Sequence, residues 1–228
     1  WWICCHTQSA CTNCRPCTLE SRHVDHTAIA GTDRLTATTL TFCSSPAIHF
    51  GSYTVIIDVH SHAWEYPQHF NDDFRQQASR AKGGTEFDLT VTLDAYRSSG
   101  GSKADRTIVF GGKAKLSGLW VDDEYVANYV AADPDHLIGF LSVDPTQDGW
   151  QKEMEVGHQE LGMRGIKLLS MYAGFYPSDE RLDPLWQYAT DHQLPVLLHT
   201  GTTFVAQAPL DCTLPRHLDS VATRFPDV

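Results

Sequence analysis

The run Val55-Ile56-Ile57-Asp58-Val59-His60-Ser61-His62 constrains this chain more than any other stretch: it is short, largely apolar, and ends in two histidines one residue apart. Side chains on a strand alternate between faces, so Asp58, His60 and His62 point one way and Val55, Ile57 and Val59 the other. Two imidazoles on one face at a strand end can share a metal ion, with Asp58 behind them as a partner of a liganding ring or as a backbone anchor. The same spacing also arises by chance at solvated strand ends, so the rest of the chain must decide.

Downstream, an aromatic loop, Ala63-Trp64-Glu65-Tyr66-Pro67, precedes a polar stretch to Lys82 that can carry a helix before Gly83-Gly84. Phe87, Leu89, Val91, Leu93 and Tyr96 suggest an amphipathic segment, and Thr107-Ile108-Val109-Phe110 reads as a buried strand closed by Gly111-Gly112. Helices are predicted from Asp122 or Asp123 to Ala132, from Trp150 to Leu161, from Asp179 to about His192 and from Pro215 to Phe225. Strands are predicted at Leu137 to Val143, Gly165 to Ser170 and Pro195 to His199.

From the second strand onward, strand starts recur at intervals of about 30 residues, the length of a βα unit, which predicts a parallel sheet with helices outside. An open doubly wound sheet satisfies the same count. No Gly-x-Gly-x-x-Gly loop follows the first strand, however, and the polar residues sit at strand ends, where a β/α barrel carries its chemistry. The expected fold is therefore α/β: an incomplete (β/α)8 TIM-type barrel with about five βα units over residues 53–228.

Residues 1–52 read differently. This Cys- and Thr-rich head has no convincing periodicity and buries too little apolar surface to order itself, so it is expected to be a disordered extension. Cys11, Cys14 and Cys17, with His6, His23 and His26, offer a zinc-knuckle reading, but no apolar positions surround them to pack. The better-fitting expectation is that the head is sequence upstream of a true start, with native translation beginning at Val55, or that the chain is a fragment of a longer one. The formal charge of −11 and the absence of clustered Lys and Arg argue against a nucleic-acid partner. No stretch has the length of apolar sequence that a membrane span requires, and no secretory signal is visible, so the expectation is a soluble, cytoplasmic protein.

A third histidine, His199, closes the apolar strand Pro195-Val196-Leu197-Leu198 and is followed by Thr200-Gly201. In a barrel it lies on the same functional face as His60 and His62, and three converging neutral imidazoles are what a zinc-type site requires. Lys167 lies inside another apolar strand, a costly position unless its ammonium reaches the strand end or a partner. Trp64, Tyr66, Tyr172, Phe175 and Tyr176 follow the first and fourth strands and are expected to line the mouth. There they would suit a flat small-molecule substrate whose carboxylate Lys167 or Arg164 could offset.

These pieces resemble the amidohydrolase superfamily, in particular the amidohydrolase-related branch that includes aminocarboxymuconate-semialdehyde decarboxylase. The matching segments are Ile57 to His62, Gly162-Met163-Arg164-Gly165-Ile166-Lys167-Leu168, Asp183-Pro184-Leu185-Trp186 and Leu194 to Gly201, so the resemblance runs from about Val55 to Val228. It implies one divalent metal ion, usually zinc, held by His60, His62, His199 and an aspartate after strand eight, with a further histidine after strand six. Those last two are expected beyond Val228, which leaves the catalytic residues unassigned, the segment C-terminally truncated and the chain as given inactive. In binuclear members a strand-four lysine is carbamylated, but the branch resembled holds one metal, so Lys167 is expected to be structural or to meet a substrate anion. The leading expectation is hydrolysis, in which a metal-bound water, its pKa lowered from ~15.7 to ~7, attacks a carbonyl or lactone of a small cyclic or carboxylate substrate. Nonoxidative decarboxylation of a cyclic or aromatic acid at the same metal is the alternative, and a non-catalytic metal-binding fragment a third. The full-length protein can be a homo-oligomer.

Overall fold

The computed structural model describes residues 55–86, 88–99 and 103–228. The sequence expectations for residues 1–52, including the zinc knuckle and the upstream start, lie outside the described residues. In chain order the elements are β1 (Ile57–His62), α1 (Asp72–Ala81), α2 (Leu93–Ser98), β2 (Arg106–Phe110), β3 (Lys113–Ala114), β4 (Leu119–Trp120), α3 (Asp123–Ala131) and β5 (Leu137–Ser142). They continue with α4 (Trp150–Gln159), β6 (Ile166–Leu168), α5 (Ser170–Ala173), α6 (Asp183–Asp191), β7 (Val196–Leu198) and α7 (Arg216–Arg224).

Five strands form one parallel sheet in the order β1-β2-β5-β6-β7. This is chain order with no reversal, so there is no switch point of the kind a doubly wound sheet needs, and the wall is that of an incomplete barrel. β1 and β7 are its outer strands. Ile56 and Ile57 are 53% and 50% exposed along the β1 edge, whereas Ile166, Lys167 and Leu168 of β6 are all 0% exposed.

The helices form where apolar residues fall on one stripe. α4 buries Trp150, Met154 and Gly157, and α6 buries Leu185, Trp186 and Ala189, both at three- and four-residue spacing. Each large side chain buried this way contributes about 1.5–3 kcal/mol. Gly157 lets α4 approach the sheet, since a Cβ there would stand 2.9 Å from Leu141 Cβ. α1 starts at Asn71, whose side chain accepts from Phe74 N–H at 2.8 Å, and it carries Asp72 and Asp73 in its first turn and Arg80 in its last, complementing the helix dipole.

Several boundaries differ from expectation. The helix expected from Asp179 is a 3-10 turn, Glu180–Leu182, capped by Asp179, and α6 begins after it. Neither Asp122 nor Asp123 caps α3 with its side chain. Asp122 accepts instead from Trp120 Nε1–H at 3.0 Å, and Asp123 turns inward to accept from Ser142 N–H at 2.9 Å. The segment expected as strand through Ser170 ends at Leu168, and Ser170 opens α5.

The antiparallel β3–β4 pair was not expected, because two-residue strands carry no readable alternation and Lys113 looks like a surface residue. It is 4% exposed: its ammonium donates to Asp123 at 2.9 Å and to Glu153 at 3.0 Å, and its backbone N–H to Ser142 Oγ at 3.1 Å. Burial, which disfavours the charge, is outweighed by the two carboxylates, so the Lys113 ammonium is held above its ordinary pKa. Among the described residues no helix is long and apolar enough to cross a membrane.

Candidate metal centre

His60 and His62 end β1 with their Nε2 atoms 3.3 Å apart and their ring planes inclined by 65°. His62 Nδ1 lies 3.3 Å from the carbonyl of Gly111 at the end of β2. A carbonyl can only accept, so this contact puts the His62 proton on Nδ1 and leaves Nε2 with its lone pair free to bind an electrophile. Phe110, wholly buried, forms the floor: its ring meets His60 at 5.0 Å and His62 at 4.7 Å, both edge to face. Trp64 stacks on the other side of His62 at 3.9 Å and 16°.

The expected alternation along β1 is interrupted. Asp58 pairs with Thr107 and Ser61 with Val109, so β1 carries one residue more than β2 over this interval. This bulge re-aims the side chains that follow it. Asp58 consequently serves as a backbone anchor and bonds neither imidazole: one carboxylate oxygen accepts from His60 N–H at 3.1 Å, the other from Tyr96 O–H at 3.1 Å.

His199 follows β7, its N–H donating to the Leu168 carbonyl at 2.9 Å, and Tyr172 stands edge-on to its ring at 5.0 Å. The Lys167 ammonium lies 4.4 Å from the centre of the Phe110 ring. Its charge reaches all three histidines. Burial, then Lys167, lowers His60 and His199 each to about 4 and holds His62 well below the ordinary imidazole range. All three rings are therefore neutral near pH 7, the form that ligates metal.

Two nitrogens at 2.0–2.1 Å from one tetrahedral ion stand about 3.3–3.4 Å apart. The His60–His62 separation matches that edge, so the pair fits a metal without rearrangement. His60 Nδ1 and His199 Nε2 are buried without hydrogen-bond partners among the described residues, an arrangement that favours a further ligand. Among the described residues, no three His, Cys, Asp or Glu side chains gather closely enough to complete a metal site. The pair is formed, and His199 stands off from it.

The other expected residues divide. Trp64 and Tyr172 lie against His62 and His199. Tyr66 turns away, with its hydroxyl on Glu86 and Arg75 over its ring. Arg164 precedes β6, so it lies at the opposite end of the strands from the histidines; its backbone N–H donates to Gly139 O at 2.8 Å, and its charge acts on His158. Phe175 is buried in the core, and Tyr176, 43% exposed, faces His217 at 4.9 Å. Phe110 and Gly111 were not singled out from sequence. Their signal was present all the same, since they end the second strand and every strand end of a barrel wall faces the site.

Solved structures share this architecture. An uncharacterised TIM-barrel protein from Bordetella bronchiseptica superposes with a TM-score of 0.55 at 22% identity, over 77% of this chain and 65% of that one. The 2,6-dihydroxybenzoate decarboxylase from Rhizobium gives 0.51 at 14% identity, over 77% and 64%. The 5-carboxyvanillate decarboxylase from Sphingomonas paucimobilis gives 0.51 at 15%, over 76% and 65%. The chain thus spans just under two thirds of the length of each. No protein of curated function matches its sequence. The sequence model of the amidohydrolase family matches residues 57–228, which is the whole of the parallel sheet with its helices, and the chain belongs to that family.

Proposed function

We propose that the protein uses one divalent metal ion to remove the carboxyl group of a small aromatic carboxylic acid without oxidation. The observation that carries this reading is the place of Lys167: it is wholly buried, with its Nζ 4.4 Å from the centre of the Phe110 ring against which His60 and His62 pack. With a dication added, that pocket is positive, and Asp58, the carboxylate whose charge acts on His60, is committed to Tyr96 and the His60 backbone. Such a field favours an anionic substrate and charge building on its oxygens.

His60, His62 and His199 would hold the metal; zinc suits the all-nitrogen donor set. A bound metal ion acts as a Lewis acid toward substrate oxygens and acidifies a bound water. Lys167 would offset the carboxylate, Phe110 would form the floor, and Trp64 and Tyr172 would flank a flat ring. Two of the structures of similar fold are named as decarboxylases of hydroxylated aromatic acids, which supports the carboxy-lyase reading. Hydrolysis is the second reading, favoured by the match to the amidohydrolase model.

The test is a panel of carboxyl-labelled benzoates and of lactones offered to the metal-loaded protein. Labelled carbon dioxide, lost together with the response to substrate charge when Lys167 is changed to Met, is the expected result. Lactone opening without carbon dioxide release would select hydrolysis.

A further inference from the structure

β1 and β7 are the outer strands of the sheet, yet the segments that follow them meet across the mouth. Gln77 of α1 is 6% exposed and uses its whole amide in that meeting. Its Nε2 donates to Asp73 at 3.0 Å and to Gln207 Oε1 at 2.8 Å, and its Oε1 accepts the Ala206 N–H at 2.6 Å. Gln207 closes the loop by donating to Asp73. Beside these bonds Phe74 of α1 meets Phe204 at 5.3 Å and 72°, and Val205, next in sequence, is 3% exposed.

The contact continues inward. Phe74 stacks on Phe70 at 4.9 Å, Phe70 meets Trp64 at 5.4 Å, and Trp64 stacks on His62 at 3.9 Å. On the other side the segment after His199 lies against Thr213, whose hydroxyl is shared between Leu210 O at 3.1 Å and Gly201 O at 3.2 Å. One continuous set of contacts therefore runs from His62 over α1 to the segment that carries His199.

From this we infer that Gln77 is a positioning residue that fixes where His199 stands relative to the His60–His62 pair. The inference rests on the metal reading above. Its physical basis is that His199 and the pair sit on strands that are not neighbours. The sheet alone relates them through every intervening strand pair, and small changes of twist add along that path. A direct tie between the two outer segments removes that freedom, and a buried amide with both donors and its acceptor satisfied is a stiff tie. A residue that merely stabilises the β7 segment would lower stability without coupling to His199 in metal affinity.

A double-mutant cycle on zinc affinity separates these roles, measured by calorimetry on the full chain at a temperature where every variant is folded. Gln77→Leu is expected to weaken zinc binding about tenfold, the lower end for partners that orient a ligand. In the His199→Ala background the same change is expected to have no further effect, because the remaining pair lies on the α1 side of the tie. Gln207→Ala, at an exposed position, removes one arm of the tie and is expected to give the same pattern with smaller amplitude, so the cycle stands if Gln77→Leu does not fold. Equal weakening in both backgrounds, or none in either, would overturn the positioning role. Zinc affinity indifferent to His60→Ala would instead overturn the metal reading, and this inference with it.

Discussion

The Lys113 ammonium and the Asp123 carboxylate meet at 2.9 Å with their side chains 5% and 4% exposed, and Glu153 takes a second hydrogen bond from the same ammonium. The cluster joins β3, α3 and α4, and Asp123 also receives the Ser142 N–H of β5. Burial pushes the Asp123 carboxyl up to about 6, against the pull of Lys113. Lys113→Met is predicted to destabilise the chain by about 3–5 kcal/mol, because it strands a buried carboxylate. Lys113→Met combined with Asp123→Asn should cost less than the single change. Urea unfolding measures both, and a single variant as stable as the parent would contradict this account.

A second prediction concerns acid. His158 Nδ1 lies 2.9 Å from the Tyr188 hydroxyl, which also accepts from Gln159 Nε2–H, and the His158 ring is 4.9 Å from that of His192. Burial, then the charges of His192 and Arg164, lowers the His158 pKa. The unfolded chain thus takes up this proton first as pH falls, and stability contributed by the neutral ring above about 6.5 is lost as pH drops toward the folded value. His158→Gln should flatten the fall in stability as pH drops below about 6.5. An unchanged slope would contradict the assignment.

Gly165 offers a steric test. A Cβ there would stand 2.4 Å from the Phe140 ring, which is 3% exposed. Gly165→Ala is predicted to destabilise by about 1–3 kcal/mol through overpacking beside β6. Thermal unfolding checks it, and no loss would show that Phe140 can move.

Trp64 supplies an optical report. Its indole stacks on His62 at 3.9 Å, so a cation on His62 should change its emission. Zinc addition is predicted to shift the tryptophan fluorescence of the parent, and Trp64→Phe to abolish the shift while binding persists. A shift that survives Trp64→Phe would place the ion elsewhere.

Most of the wall was legible because its strands are apolar runs of ordinary length separated by capped helices. The strand-end rule then brought His60, His62 and His199 to one face. Other features were hidden for physical reasons. The β1 bulge leaves no mark in a sequence whose alternation looks regular, so sequence alone left Asp58 as either a partner of a ring or a backbone anchor, and its bond to His60 N–H is the second. Lys113 reads as surface until its two carboxylates are seen to come from α3 and α4. Arg164 stands near Lys167 in sequence, but it precedes β6 and its charge acts on His158, whereas Lys167 lies within β6 and acts on the three histidines. Gln77 is an ordinary residue in a polar helix until Ala206 and Gln207 meet it.

The central claim is that His60, His62 and His199 share one metal ion. It is tested most directly by elemental analysis and zinc titration of the parent and of His60→Ala, His62→Ala, His199→Ala and His69→Ala. His69 is the control, since its Nδ1 accepts the Glu65 N–H at 2.8 Å and its ring packs on Tyr125. The account predicts one zinc per chain, affinity lowered at least about tenfold by each of the first three changes, and no effect at His69. Full zinc content in any two of the three histidine variants would contradict it.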